Sequence, residues 1–123
     1  MKRPKTGPSI WHVLARGARR LEIFRDNEDA SRFLEGLRRA AERWGVAVHA
    51  YALLGNHYHM LLTASSRELG AFMKSLNQSY SRRYNDRYRQ TGHLLDGPYK
   101  AFLQGSGWWA LRTSIYIHRN PVA

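Results

Sequence analysis

The apolar positions of this chain change period several times, and each change marks an element. Residues 9–16, "SIWHVLAR", form a short run rich in apolar and aromatic residues between Pro8 and Gly17, which predicts a β-strand. "GARRLEIFRDN" follows as a basic turn, with an extra strand or hairpin expected at 21–24. Ala30, Phe33, Leu34, Leu37, Ala41 and Trp44 then recur at helical spacing. Asp26 or Asn27 can cap that helix, Glu28 and Asp29 suit its positive first turn, and Gly45 ends it. "VAVHAYALL" (46–54) and "HYHMLLT" (57–63) read as a hairpin whose turn, Gly55-Asn56, can take positive φ. Ser65 and Glu68 have capping-box spacing. They open a second helix with Leu69, Phe72, Met73, Leu76, Tyr80 and Tyr84 on its apolar face, running to about Arg89. After the loop "TGHLLDGPY" comes a fourth strand at 99–104. Ser106 can cap a last helix over 108–119, which Pro121 stops.

The order β-α-β-β-α-β-α begins with the six elements of a ferredoxin-like split βαβ. The fold class expected is α+β: a four-stranded antiparallel sheet with two helices on one face, plus a C-terminal helix that can cover part of the other. One domain spans 1–123, with 1–8 as a flexible basic arm.

Composition narrows the partners. Lys+Arg number 20 against nine Asp+Glu, for a net charge of +11 and a pI near 10.7. Sixteen of the twenty are Arg, whose planar fork suits phosphate. From Leu69 onward the chain has eight bases and two acids. A polyanion is the partner this balance favours, nucleic acid ahead of an anionic membrane surface. With no cysteine, disulfides and thiolate metal sites are excluded, and a cytoplasmic, nucleoid-associated location is expected. No apolar run approaches the roughly 20 residues needed to cross a bilayer.

The candidate chemistry lies in "LLGNHYHMLLT" (53–63). Alternate residues of a strand share a face, so His57 and His59 point one way and Tyr58 and Met60 the other. Two imidazoles so placed can ligate one divalent cation, although two hydrogen-bonded surface histidines give the same pattern. In "SIYIHRNPV" near the C-terminus, Tyr116 and Asn120 are four apart, on one helix face. An Asn carbonyl oxygen is a hard ligand suited to Mg²⁺ or Mn²⁺. Equally, a Tyr at this spacing can be core and an Asn before Pro an end cap. Taken together, a metal held by His57, His59 and Asn120 would polarise a phosphate, and the Tyr116 hydroxyl would attack phosphorus to form a phosphotyrosine as the sugar oxygen leaves.

Three stretches carry a resemblance over nearly the whole chain: "HVLARGARRLEIFRDNEDASRFLEGL", "HAYALLGNHYHMLL" and "YIHRNPV". They resemble the Y1 HUH transposase family, the IS200-like transposases and their REP-associated relatives. The first matches that family's opening strand, turn and helix, the second its histidine–hydrophobic–histidine strand, the third its tyrosine helix. The resemblance implies His57, His59 and Asn120 as metal ligands and Tyr116 as nucleophile. It also implies cleavage of single-stranded DNA beside a hairpin, leaving a 5′-phosphotyrosine and a free 3′-hydroxyl. Asn rather than Gln four residues after the tyrosine is more similar to the REP-associated branch, which includes monomers, whereas the insertion-sequence enzymes are homodimers. Departures from the pattern are Leu54-Gly55 in place of Met-Pro before Asn-His, and Leu95 and Pro98 where many relatives have Trp and Arg. The chain also stops three residues after Asn120, where relatives often continue.

Single strands bind basic grooves lined with flat side chains. Arg16, Arg19 and Arg20 after the first strand, Arg82, Arg83, Arg87 and Arg89 on the second helix, and Lys100 are the expected phosphate contacts, with Lys2, Arg3 and Lys5 as the arm. Any one of them can instead be a solvated surface residue. His12, His49 and His93 are read as structural. The competing function is a non-catalytic ferredoxin-like module that binds single-stranded nucleic acid.

Overall fold

The computed structural model describes residues 8–104. The expected helix at 108–119, with Tyr116 and Asn120, and the basic arm lie outside the described residues. Within them run β1 (Ser9–Arg16), a 3-10 turn (Ala18–Arg20), α1 (Asn27–Trp44), β2 (Ala47–Leu54), β3 (His57–Ala64), α2 (Ser66–Tyr88) and β4 (Lys100–Leu103). The strands form one antiparallel sheet in the order β2-β3-β1-β4. This is the expected split βαβ arrangement.

Local chemistry sets the helix ends. The Asp26 carboxylate accepts the Asp29 amide at the start of α1, and Gly45 closes that helix at φ 65°. Ser65 and Glu68 form a reciprocal capping box at the start of α2. α2 ends on Arg89 in the left-handed region, at φ 53°.

The sheet has two unlike faces. Trp11, Val13 and Ala15 of β1 and Tyr58, Met60 and Leu62 of β3 are buried with Phe33 and Leu37 of α1 and Phe72, Met73, Leu76, Tyr80 and Tyr84 of α2 in the main core. The opposite face carries Ile10, Ala50, Ala52 and Leu61 as a small apolar cluster of its own. Strand alternation sends His12, Leu14, Arg16, His57 and His59 to this second face.

Three local expectations are corrected. Residues 21–24 form no strand: the Ile23 and Phe24 amides both donate to the Gly55 carbonyl, and the Tyr84 and Tyr80 hydroxyls donate to the Glu22 and Ile23 carbonyls. The backbone groups that a strand partner would have satisfied are met by the hairpin turn and by α2. The Gly55-Asn56 turn does not take positive φ. Its carbonyls face the 17–24 segment, accepting from the Gly17, Ile23 and Phe24 amides. β4 has four residues rather than six, paired to Trp11–Leu14 of β1.

Candidate functional site

The two histidines of β3 come together on the second sheet face, with ring centroids 5.0 Å apart and planes at 73°. Across the sheet, Leu54 and Ala52 on β2 stand opposite His57 and His59, and Arg16 and Leu14 on β1 stand on the other side. Ala50, Ala52 and Leu61 form the buried apolar cluster on this face.

Each ring has one nitrogen engaged. His57 Nδ1 lies 2.8 Å from the Asn56 amide oxygen. His59 Nδ1 lies 3.0 Å from His12 Nε2, and the His12 and His59 rings stack at 5.2 Å. Among the described residues neither His57 Nε2 nor His59 Nε2 has a hydrogen-bond partner. Partial burial lowers the pKa of both: it is the main cause for His59, brought down to about 4 with help from the neighbouring His12, His57 and Arg16, and for His57, where Arg16 adds to it. Desolvation also lowers His12. At neutral pH the cluster is therefore a set of uncharged imidazoles with lone pairs to offer, which is the form a metal needs.

That low value has a stability consequence. A histidine whose folded pKa lies below its unfolded 6.5 takes up its proton more readily when the chain unfolds. The metal-free fold should keep the His59 contribution above pH 6.5 and lose it as the pH falls toward 4. Since the ring is only half buried, solvent screening holds the loss to about 1–2 kcal/mol. Denaturant titrations at pH 7 and at acid pH should show this slope, and His59→Gln should remove that part of it.

Among the described residues no set of three His, Cys, Asp or Glu side chains is placed to hold a metal ion. The described donors toward a cation are thus two, His57 and His59, and the expected third, Asn120, lies outside the described residues. Two neutral imidazoles with ring centroids 5.0 Å apart are donors of the type a divalent transition metal takes.

The expected phosphate contacts divide into groups. Arg16 is exposed opposite His57, and Lys100 is exposed on the same face, paired to Leu14. Arg19 and Arg20 are exposed and have φ of 53° and 62°, a region that bulky residues rarely enter. The Gly17 amide donates to Asn56, the Ala18 amide to Leu94 and the Leu21 amide to Ala18, and these bonds tie the turn down. A Cβ at Gly17 would stand 2.2 Å from the Leu21 carbonyl oxygen. Arg82 lines a cleft of about 560 Å³ between α2 and the 92–99 loop, together with Lys74, Asn77, Gln78, His93 and Tyr99. Arg89 is exposed at the end of α2.

Two of the expected phosphate contacts, Arg83 and Arg87, are in ion pairs with acids of α1 and its cap. Arg87 bonds Asp29 at 2.6 Å and Asp26 at 2.8 and 2.9 Å, and Arg83 lies 3.2 Å from Glu35. Both join α2 to α1 in the helical layer, away from the histidines. His12 and Asn56, on the other hand, were not singled out from sequence as site residues. Strand alternation puts His12 on the same face as His57 and His59, but its contact with His59 depends on the β1/β3 register.

This fold and this histidine pair define a class, and comparison with known proteins agrees. Residues 8–120 match the family model described as "Transposase IS200 like". The chain belongs to the IS200-like transposase family, which gives it a transposase role. Two solved structures share the fold. A REP-associated tyrosine transposase bound to a REP hairpin superposes with a TM-score of 0.75 at 9% identity, covering 95% of this chain and 68% of that one. A candidate transposase from Deinococcus radiodurans R1 gives a TM-score of 0.65 at 21% identity, covering 100% of both chains. No curated protein matches the chain. Among the described residues no helix is long and apolar enough to cross a membrane.

Proposed function

We propose that this protein nicks and rejoins single-stranded DNA beside a hairpin, at a REP-type or insertion-end sequence, through a 5′-phosphotyrosine on Tyr116. The observation that carries the reading is the pair of neutral imidazoles, His57 and His59, on one sheet face beside Arg16, with Nε2 atoms unengaged among the described residues. The family and the hairpin-bound relative support DNA as the substrate.

His57 and His59, with Asn120, would hold Mg²⁺ or Mn²⁺. When bound, such a cation supplies Lewis-acid stabilisation of the negative charge that builds on a phosphate oxygen. Arg16 and Lys100, exposed on the same face, would fix the strand through its phosphates, with Arg19, Arg20, Arg82 and Arg89 extending the basic track. The Tyr116 oxygen forms its bond to phosphorus while the bond from phosphorus to the upstream 3′-oxygen breaks. The phenol proton is given up and the 3′-oxygen takes one, leaving a free 3′-hydroxyl. Attack by a 3′-hydroxyl on the phosphotyrosine reverses these bonds, so joining needs no outside energy source.

The test separates chemistry from binding. His57→Ala and His59→Ala should each lower Mn²⁺ affinity beyond the ~10–100-fold that loss of an outer partner produces. Both should stop cleavage of a hairpin-bearing single strand while retaining its binding. Calorimetry and a cleavage gel check this. Cleavage that survives both substitutions would overturn the metal-assisted reading.

A further inference from the structure

The geometry points to His12 and Asn56 as positioning residues that make Nε2, in both His57 and His59, the ligating atom. This inference rests on the metal-assisted reading above and concerns how the chain prepares its ligands.

Neutral imidazole carries one proton on one of two nitrogens, and the nitrogen without it offers the lone pair. The partner of the other nitrogen selects the tautomer. His57 Nδ1 faces the Asn56 amide oxygen at 2.8 Å. An amide oxygen only accepts, so His57 Nδ1 carries the proton and Nε2 keeps the lone pair. His59 Nδ1 faces His12 Nε2 at 3.0 Å. When the proton between them sits on His59, His12 Nε2 accepts it, and His59 Nε2 keeps its lone pair as well. The two ligands then present the same atom.

His12 also holds the ring plane. Its imidazole stacks on His59 with centroids 5.2 Å apart and a plane angle of 28°, and Phe102 stands 6.3 Å away on its β4 side. His12 reaches His59 from the neighbouring strand, because Leu14 rather than His12 is directly opposite His59 in the β1/β3 register. The contact is thus diagonal across the sheet, a separation that long side chains can span. His12 Nε2 points at His59 Nδ1, and the described histidines do not form a three-donor metal group. Its place is behind a ligand, where a hydrogen-bonding partner fixes a histidine's tautomer and ring orientation.

The experiment uses the full chain. In the metal-free protein, long-range ¹H–¹⁵N spectra of ¹⁵N-histidine report which nitrogen of each ring is protonated. His57 and His59 should both carry the proton on Nδ1. His12→Phe preserves an apolar stacking ring and removes the acceptor. It should move His59 toward the Nε2-protonated form and weaken Mn²⁺ binding by ~10–100-fold, the range for loss of such a partner. His12→Gln, whose amide oxygen can occupy the place of Nε2, should restore most of the affinity. Thermal unfolding of both variants identifies any loss that comes from misfolding, and a role in packing alone would not be rescued by Gln over Phe. The inference is overturned if wild-type His59 is protonated on Nε2, or if His12→Phe binds Mn²⁺ as tightly as wild type. If the wild-type chain takes up no Mn²⁺, the metal reading fails by itself, and the proton positions in the metal-free protein still decide for or against His12 and Asn56.

Discussion

Tyr116→Phe should abolish the covalent protein–DNA adduct that wild type forms with a hairpin-bearing single strand in the presence of Mn²⁺. Loss of one oxygen removes the only atom proposed to bond to phosphorus, so the adduct should fall by at least ~10³-fold, the scale on which an enzyme loses rate with its own nucleophile. Hairpin binding should be retained, since a phenyl ring keeps nearly the same shape and the basic residues are untouched. Denaturing gels with labelled DNA read the adduct, and mobility shifts read the binding. The outcome also discriminates among the alternatives. A simple nucleic-acid-binding module gives no adduct with either protein. A metal hydrolase that activates water gives cleavage without an adduct, and it continues when Tyr116 is replaced.

Asp29→Ala should have the largest effect on stability, about 3 kcal/mol, as expected when a buried, charge-assisted network loses its central acceptor. Asp29 is 1% exposed. Its carboxylate accepts from the Arg25 amide at 2.9 Å, the Arg87 guanidinium at 2.6 Å and the Tyr88 hydroxyl at 2.7 Å. Arg25 in turn lies over the Tyr88 ring, 4.0 Å from its centroid, and donates to the Tyr84 hydroxyl. One carboxylate therefore joins the start of α1, the segment before it and the end of α2. Alanine would leave the Arg25 amide and the Tyr88 hydroxyl without this acceptor and Arg87 with Asp26 alone. Asn keeps one carbonyl oxygen and should lose less. Urea denaturation of the two variants checks the order, and an unchanged midpoint for Asp29→Ala would refute the structural role assigned to the network.

That network also shows where a reading of residues along the chain stops. The helices, their caps and the β2/β3 hairpin were legible because their signals are local: Asp26 and Ser65 before apolar stripes, Gly45 after one, and His57 and His59 two apart in a strand. The sheet order followed from the alternation of elements. What escaped were partnerships over long separations. Arg87 looked like a phosphate contact beside Arg82 and Arg89, yet it meets Asp26 and Asp29 about 60 residues earlier. Residues 21–24 have a strand's composition, but their amides and carbonyls go to Gly55 and to the α2 tyrosines. His12 was read as structural, because its contact with His59 depends on the β1/β3 register, which is set by the whole of the intervening chain. Within the site, the pair on β3 was readable from spacing, and its supporting shell was not.

The proposed site requires that the phenol of Tyr116 meet a cation held by His57 and His59. Crystals of the full chain grown with Mn²⁺, with anomalous scattering recorded at the manganese edge, test this directly. The expected result is one strong peak ligated by His57 Nε2 and His59 Nε2, completed by the Asn120 carbonyl oxygen, with the Tyr116 hydroxyl of the same chain or a second copy beside it. A peak away from the two imidazoles, or a Tyr116 phenol buried where no copy of the chain can bring it to them, would contradict it.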